Sequence, residues 1–194
     1  MGGRSSFLTL NDANLHQFRN QIPNEAPPKS FQDSFFVARN LDLDFIWSAS
    51  LCIIQDSKDD WRKEAATMAS VYESSYINIA SSGASDGTVG CFFDRQPSWR
   101  CQFGVSLKGE EHFYECSPRK RVEILRSFGP LDREGMPLHS RAWVLQKRLL
   151  APRSVQLGST QVFWECHGHK NCETDSQPNI FGSDQFRKLV DQYR

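Results

Sequence analysis

No surplus of charge of either sign is carried by this chain: 23 Lys and Arg stand against 23 Asp and Glu in 194 residues. That balance excludes the broad basic field that concentrates a protein on nucleic acid or acidic membrane, so no nucleic-acid partner is expected. The one basic run, Arg119-Lys120-Arg121, is short and reads as a solvated loop. Long apolar runs are also lacking. None approaches the ~20 residues that cross a bilayer, so no membrane span is expected. The opening MGGRSSFLTL has neither the apolar centre nor the cleavage site of a secretory leader. Without a leader, the six cysteines (Cys52, Cys91, Cys101, Cys116, Cys166 and Cys172) read as thiols of a reducing, cytoplasmic protein. Cys52 in particular reads as a small buried residue. The run from Cys166 to Cys172 holds zinc-type residues, but it is compact for one tetrahedral site and has no second pair at a standard distance. No metal and no resident cofactor are expected. The loop from Ser81 to Gly87 lacks both the lysine of a P-loop and a GxGxxG pattern.

What the chain does have is concentrated between Phe45 and Ala80. The run reads as an apolar strand, a polar turn, an amphipathic helix and a second strand. On a helix over 58–73, Trp61, Ala65, Met68 and Tyr72 share one stripe. Glu64 falls at roughly 300° from Trp61, between Val71 and Met68, inside the apolar arc. A carboxylate there is costly unless paired or hydrogen-bonded, so it is either a structural anchor or a working group.

The remaining organisation follows from breakers and periodicity. A short helix over 13–20 is ended by Pro23, Pro27 and Pro28. Ser30, with Asp33 three residues on, is expected to cap a helix that buries Phe31, Phe35 and Ala38 and ends near Asn40. Leu43 to Ile54 reads as a central strand, Ser57 as the cap of the 58–73 helix, and Tyr76 to Ala80 as the next strand. Residues 83–130 form a variable insertion with antiparallel strand candidates at 102–107 and 113–116. A helix over 140–150 follows, stopped by Pro152. Then come a hairpin of 154–157 and 161–166, a loop over 167–182, and the start of a helix over 183–194. The expected class is α/β: a parallel-sheet core with flanking helices, an irregular antiparallel insertion and a C-terminal β-hairpin, in one domain over 1–194.

Three stretches together resemble the fungal heterokaryon-incompatibility (HET) domain. The first is Trp47 with Leu51-Cys52-Ile53-Ile54-Gln55-Asp56. The second is Asp60-Trp61-Arg62-Lys63-Glu64 with Met68 and Tyr72. The third is Ser140-Arg141-Ala142-Trp143-Val144-Leu145-Gln146 with Arg148-Leu149-Leu150-Ala151-Pro152-Arg153. Phe163-Trp164-Glu165-Cys166 and the order of the elements fit the same pattern, which covers nearly the whole chain. Three departures accompany it. Ala49 stands where the family pattern has aspartate, and Lys147 where it has glutamate. The family's first strand is expected to be missing here, since the opening Met1-Gly2-Gly3 falls where that strand would just have ended.

The resemblance implies an effector of non-self recognition that triggers programmed cell death, activated through a protein partner or self-association. HET domains resemble, more remotely, the TIR-like fold, whose enzymatic members cleave NAD with a glutamate on the helix after a central strand. Glu64 is at the matching place. By that analogy it is the catalytic candidate, with NAD as substrate, holding ribose hydroxyls and steadying an oxocarbenium-like transition state. Trp47, Trp61, Gln55, Arg141, Trp143 and Gln146 are the ligand-binding candidates. The competing structural role ties Glu64 to backbone donors or to Arg141. Ala49 and Lys147 together point away from catalysis, towards an interaction module or a decayed copy.

Overall fold

A computed structural model describes residues 8–23, 27–94, 101–116, 136–168 and 170–172. The chain divides into two compact units, Met1–Phe93 with Arg133–Arg194, and Asp94–Asp132. In the first unit the order is α1 (Leu15–Asn20), α2 (Lys29–Asn40), α3 (Ala49–Cys52), α4 (Lys58–Glu73) and β1 (Asn78–Ala80). After the excursion come a 3-10 turn (Pro137–Ser140), α5 (Ala142–Leu150), β4 (Arg153–Leu157), β5 (Val162–Cys166) and β6 (Lys170–Cys172). The second unit holds an antiparallel pair, β2 (Cys101–Leu107) and β3 (Glu110–Cys116), with Phe103 stacked on Tyr114 at 5.8 Å between ring centroids. The helix expected over 183–194 and the basic run at 119–121 lie outside the described residues.

The class is α/β as expected, and the sheet is mixed. Its order is β1-β4-β5-β6, with β1 and β4 parallel and the other two pairings antiparallel. Strand β6 falls inside the expected 167–182 loop; three residues are too few to give a readable period. The alternation of side chains assigns the two faces. Ile79, Val155, Leu157, Val162 and Trp164 share one face and cluster with Val37 of α2 and Cys91. Ser154, Gln156, Phe163 and Glu165 share the other, and Arg148 of α5 reaches Glu165 there. The two helices thus cover opposite faces of the hairpin β4–β5.

Four local expectations need correction. Leu43 to Ile54 is not a strand: 43–48 is irregular, and Ala49–Cys52 forms a single helical turn. Its backbone is satisfied locally, the Ser48 carbonyl accepting from the N–H groups of Leu51 and Cys52. The Gln55 amide donates to the carbonyls of Ala49 and Ile53, each at 2.9 Å. A short apolar run does not by itself distinguish strand from helical turn. Second, within that run Ile53 is buried, whereas Phe45 is 92% exposed and Cys52 is exposed.

Third, Ser30 does not cap α2. Pro28 holds the N-cap position with no side-chain cap bond, and Asp33 is buried, accepting the Cys91 N–H at 2.7 Å and pairing with Lys29. Fourth, Asp33, Val37 and Ala38 are the buried residues of that helix; Phe31 and Phe35 are half-buried. Ser57 does cap α4, accepting the Asp60 N–H at 3.2 Å.

The turn after β1 carries a first prediction. Gly83 donates its N–H to the Leu157 carbonyl at 3.0 Å. A Cβ there would lie 2.4 Å from the Ser159 backbone nitrogen and 2.8 Å from the Phe93 ring. Gly83→Ala should therefore lower the urea midpoint by an amount equivalent to about 1–3 kcal/mol, the usual cost of forcing atoms into packed space. Gly168→Ala, with nothing within 4 Å of the added carbon and no left-handed backbone, controls for composition.

Candidate functional site

The start of α4 is locked to the segment before it. Besides the Ser57 cap, the Asp60 carboxylate accepts the Ile54 N–H at 2.8 Å, and Asp59 and Asp60 complement the positive end of the helix. Beyond that turn Glu64, Ala65, Met68, Val71 and Tyr72 form the half-buried face, and none of the residues of α4 is fully buried. Glu64 is therefore on the apolar side, as its spacing predicts. Its carboxylate makes no hydrogen bond or ion pair among the described residues; only its backbone carbonyl is engaged, by the Thr67 hydroxyl at 3.0 Å. Neither the tie to Arg141 nor one to backbone donors is formed. Trp61, placed at the centre of the stripe by its spacing, is 54% exposed. By angle it lies in the middle of the half-buried arc, and it stands out of contact because it belongs to the first turn of the helix, ahead of the half-buried residues that begin at Glu64.

The aromatic candidates converge where α4 meets α5. Trp47 packs edge-on against Tyr72, with centroids 5.7 Å apart and planes at 80°. The Lys147 Nζ lies 5.1 Å from the centre of the Tyr72 ring and 4.5 Å from that of Trp143. The Arg141 guanidinium carbon lies 5.7 Å from the Trp143 centroid. These are cation–π distances, within the ~6 Å at which the ring quadrupole attracts a cation. Lys147 has no carboxylate partner among the described residues. Burial lowers the pKa of its amine and pushes that of the Tyr72 phenol up to about 12, because each charged form loses water without gaining a counter-ion.

The other ligand-binding candidates are placed differently. Gln55 is exposed, and its amide is spent on the α3 turn. Gln146 and Arg141 are exposed on α5, and Trp143 is 47% exposed. The structure thus brings Trp47, Arg141 and Trp143 into one cluster and leaves Trp61, Gln55 and Gln146 outside it. Two open depressions lie elsewhere. One, of about 480 Å³, is lined by His16, Gln17, Asn20, Gln21 and Pro23; the other, of about 380 Å³, by Lys29, Gln32, Asp33, Phe36 and Phe92. Neither includes Glu64. Tyr72 and Lys147 complete the cluster without having been candidates. The i, i+4 spacing of Trp143 and Lys147 was the available signal, since it sets the amine over the indole on any helix.

No curated protein and no solved structure matches the chain. The family model described as heterokaryon incompatibility protein (HET) matches residues 3–147, and the matched stretch contains the capped α4 helix, Glu64 and the aromatic cluster. The chain belongs to the HET family.

Proposed function

We propose that this HET chain is a heterokaryon-incompatibility effector of programmed cell death in fungal non-self recognition, and that it acts by association with a protein partner or a second copy. The observation that carries the association route is the set of large apolar side chains left exposed in a unit whose own core is closed. They are Phe45 and Ile46 before α3, Trp61 on α4, and Leu145 and Leu149 on α5. Exposed side chains of that size supply apolar area that a partner would bury on association. Two further features agree with a non-catalytic output. Ala49 supplies no carboxylate at the position where the family pattern has one, and the space between the Tyr72 and Trp143 rings holds the Lys147 amine. No helix among the described residues is long and apolar enough to cross a membrane.

A second reading, cleavage of NAD with Glu64 as the key carboxylate, is favoured by one observation: the half-buried Glu64 carboxylate has no partner among the described residues, which leaves it available to a ribose hydroxyl. The two readings separate cleanly. Purified protein is incubated with NAD and nicotinamide release followed, and growth is scored on expression in fungal cells. The association route expects growth arrest without nicotinamide release, and arrest that persists in Glu64→Ala. Release that disappears in Glu64→Ala transfers the function to the second reading. The absence of both effects overturns the effector proposal.

A further inference from the structure

Two of the six cysteines occupy one rung of the hairpin in the second unit. Strands β2 and β3 are joined by Lys108 and Gly109, both at positive φ, 55° and 88°. That is the conformation of a type I′ turn, whose twist matches the strands it joins. A two-residue loop fixes the register of its strands, and the stack of Phe103 on Tyr114 supports it further along. From Leu107 opposite Glu110 at the turn, the register runs to Cys101 opposite Cys116 at the open end. Directly opposed residues of an antiparallel pair have α-carbons about 4.5–5.5 Å apart, whichever kind of rung they occupy. A disulfide needs about 4.4–6.8 Å, so the backbone is already placed for a bond between them. The other cysteines on neighbouring strands, Cys166 and Cys172, are not so placed. Cys172 lies opposite Phe163, three residues from Cys166 on β5. That puts them on opposite faces and roughly 10 Å apart along the strand, past the ~7 Å that a disulfide tolerates.

We propose that Cys101 and Cys116 are a redox modification site, closed into a cross-strand disulfide by a small disulfide oxidant of the glutathione type. The thiolate of one cysteine attacks a sulfur of the oxidant, forming a mixed disulfide and releasing one small thiolate. The thiolate opposite then attacks the protein sulfur of that mixed disulfide and releases the second. Two protein thiols are oxidised to one disulfide, the oxidant is reduced to two thiols, and the two protons pass to those leaving groups. Among the described residues β2 and β3 pair only with each other, and a two-stranded hairpin is marginally stable in water. A bond at its open end closes a loop through the turn and removes unfolded conformations. Oxidation therefore steadies the hairpin, with the exposed side chains of Phe103, Leu107 and Tyr114 on one face, and reduction releases it.

The test uses the intact chain with oxidised glutathione as the probe. Remaining thiols are blocked with N-ethylmaleimide, and the chain is digested with trypsin without reduction. Cleavage after Arg100, Lys108 and Arg119 puts the two cysteines on separate peptides, Cys101–Lys108 and Gly109–Arg119, each with a single cysteine. Mass spectrometry should find these two peptides joined as the main cross-linked product. Nearness in the chain alone favours their meeting, so the same treatment in urea is the reference. The folded chain should give at least about threefold more of the joined peptides. An equal or lower yield, a different pair as the main product, or a chain that stops at glutathione adducts overturns the proposal. Amide hydrogen exchange over 102–115 should slow by at least about tenfold on oxidation, and unchanged exchange overturns it as well. Cys116→Ser should abolish both effects; either one persisting there would mean that another pair is responsible, against the proposal. If that variant fails to fold, the comparison with urea decides alone.

Discussion

Replacing Trp164 by alanine should leave little folded protein, while the same change at Trp61 should be nearly silent. Trp164 is 3% exposed, sits directly opposite Val155 on β4, and clusters with Val37, Leu157, Val162 and Cys91. Truncating a fully buried aromatic removes its transfer free energy and leaves a cavity, at a cost of about 3–5 kcal/mol. Folded domains hold only about 5–15 kcal/mol in total, so the loss consumes much of the margin. Trp61 is 54% exposed on α4, and its truncation should change stability by less than about 1 kcal/mol. Urea unfolding followed by far-ultraviolet circular dichroism measures both. A Trp61 variant as damaged as the Trp164 variant would mean that the exposed indole is part of the fold rather than of a surface.

The contrast between these two tryptophans also measures how far the sequence could be read. Helices α1, α2 and α4, the β2–β3 pair and the β4–β5 hairpin were legible because breakers, caps and alternating apolar residues mark them locally. The α4 stripe gave the correct side for Glu64 and for Trp61 alike, but a helical wheel fixes angles and not how far along the axis the neighbouring elements reach, and Trp61 in the first turn stays exposed. Leu43 to Ile54 misled for another reason. Of its apolar residues, Phe45 and Ile46 stay exposed and Ile53 is buried, and the turn between them is set by the Ser48 carbonyl and the Gln55 amide. The first is a local backbone turn and the second a side-chain bond across several residues, and neither leaves a period. At the candidate site the family pattern supplied Trp47, Arg141 and Trp143. The member that most alters its chemistry, Lys147, is where this chain departs from the pattern, and its effect becomes visible only once α5 is laid against Tyr72 of α4.

Glu165 was read only as part of the hairpin pattern, yet its removal should have the second large effect on stability. Its carboxylate is 15% exposed and receives Arg148 of α5, Lys170 of β6 at 2.9 Å and the Gln156 amide at 3.2 Å. One side chain thus fastens α5, the hairpin and the last strand together. Burial alone would raise its pKa, but the hydrogen bonds and charges of Arg148 and Lys170 outweigh burial and hold it below the usual carboxylate range. Glu165→Ala takes the carboxylate from Arg148, itself only 12% exposed. Breaking a fully buried pair from one side costs about 3–5 kcal/mol, which sets the upper bound for this mostly buried one. Replacing both partners, Arg148→Met with Glu165→Leu, should recover much of that loss, because no buried charge then remains uncompensated. The pH dependence has a fixed sign. With its folded pKa lowered, Glu165 contributes stability that is complete above the unfolded carboxylate value near ~4.3 and is lost as pH falls through the folded value. Urea midpoints measured between pH 7 and pH 3 should therefore fall less steeply on the acid side in Glu165→Gln than in the unaltered chain. An equal fall in both would mean that other groups carry the acid sensitivity.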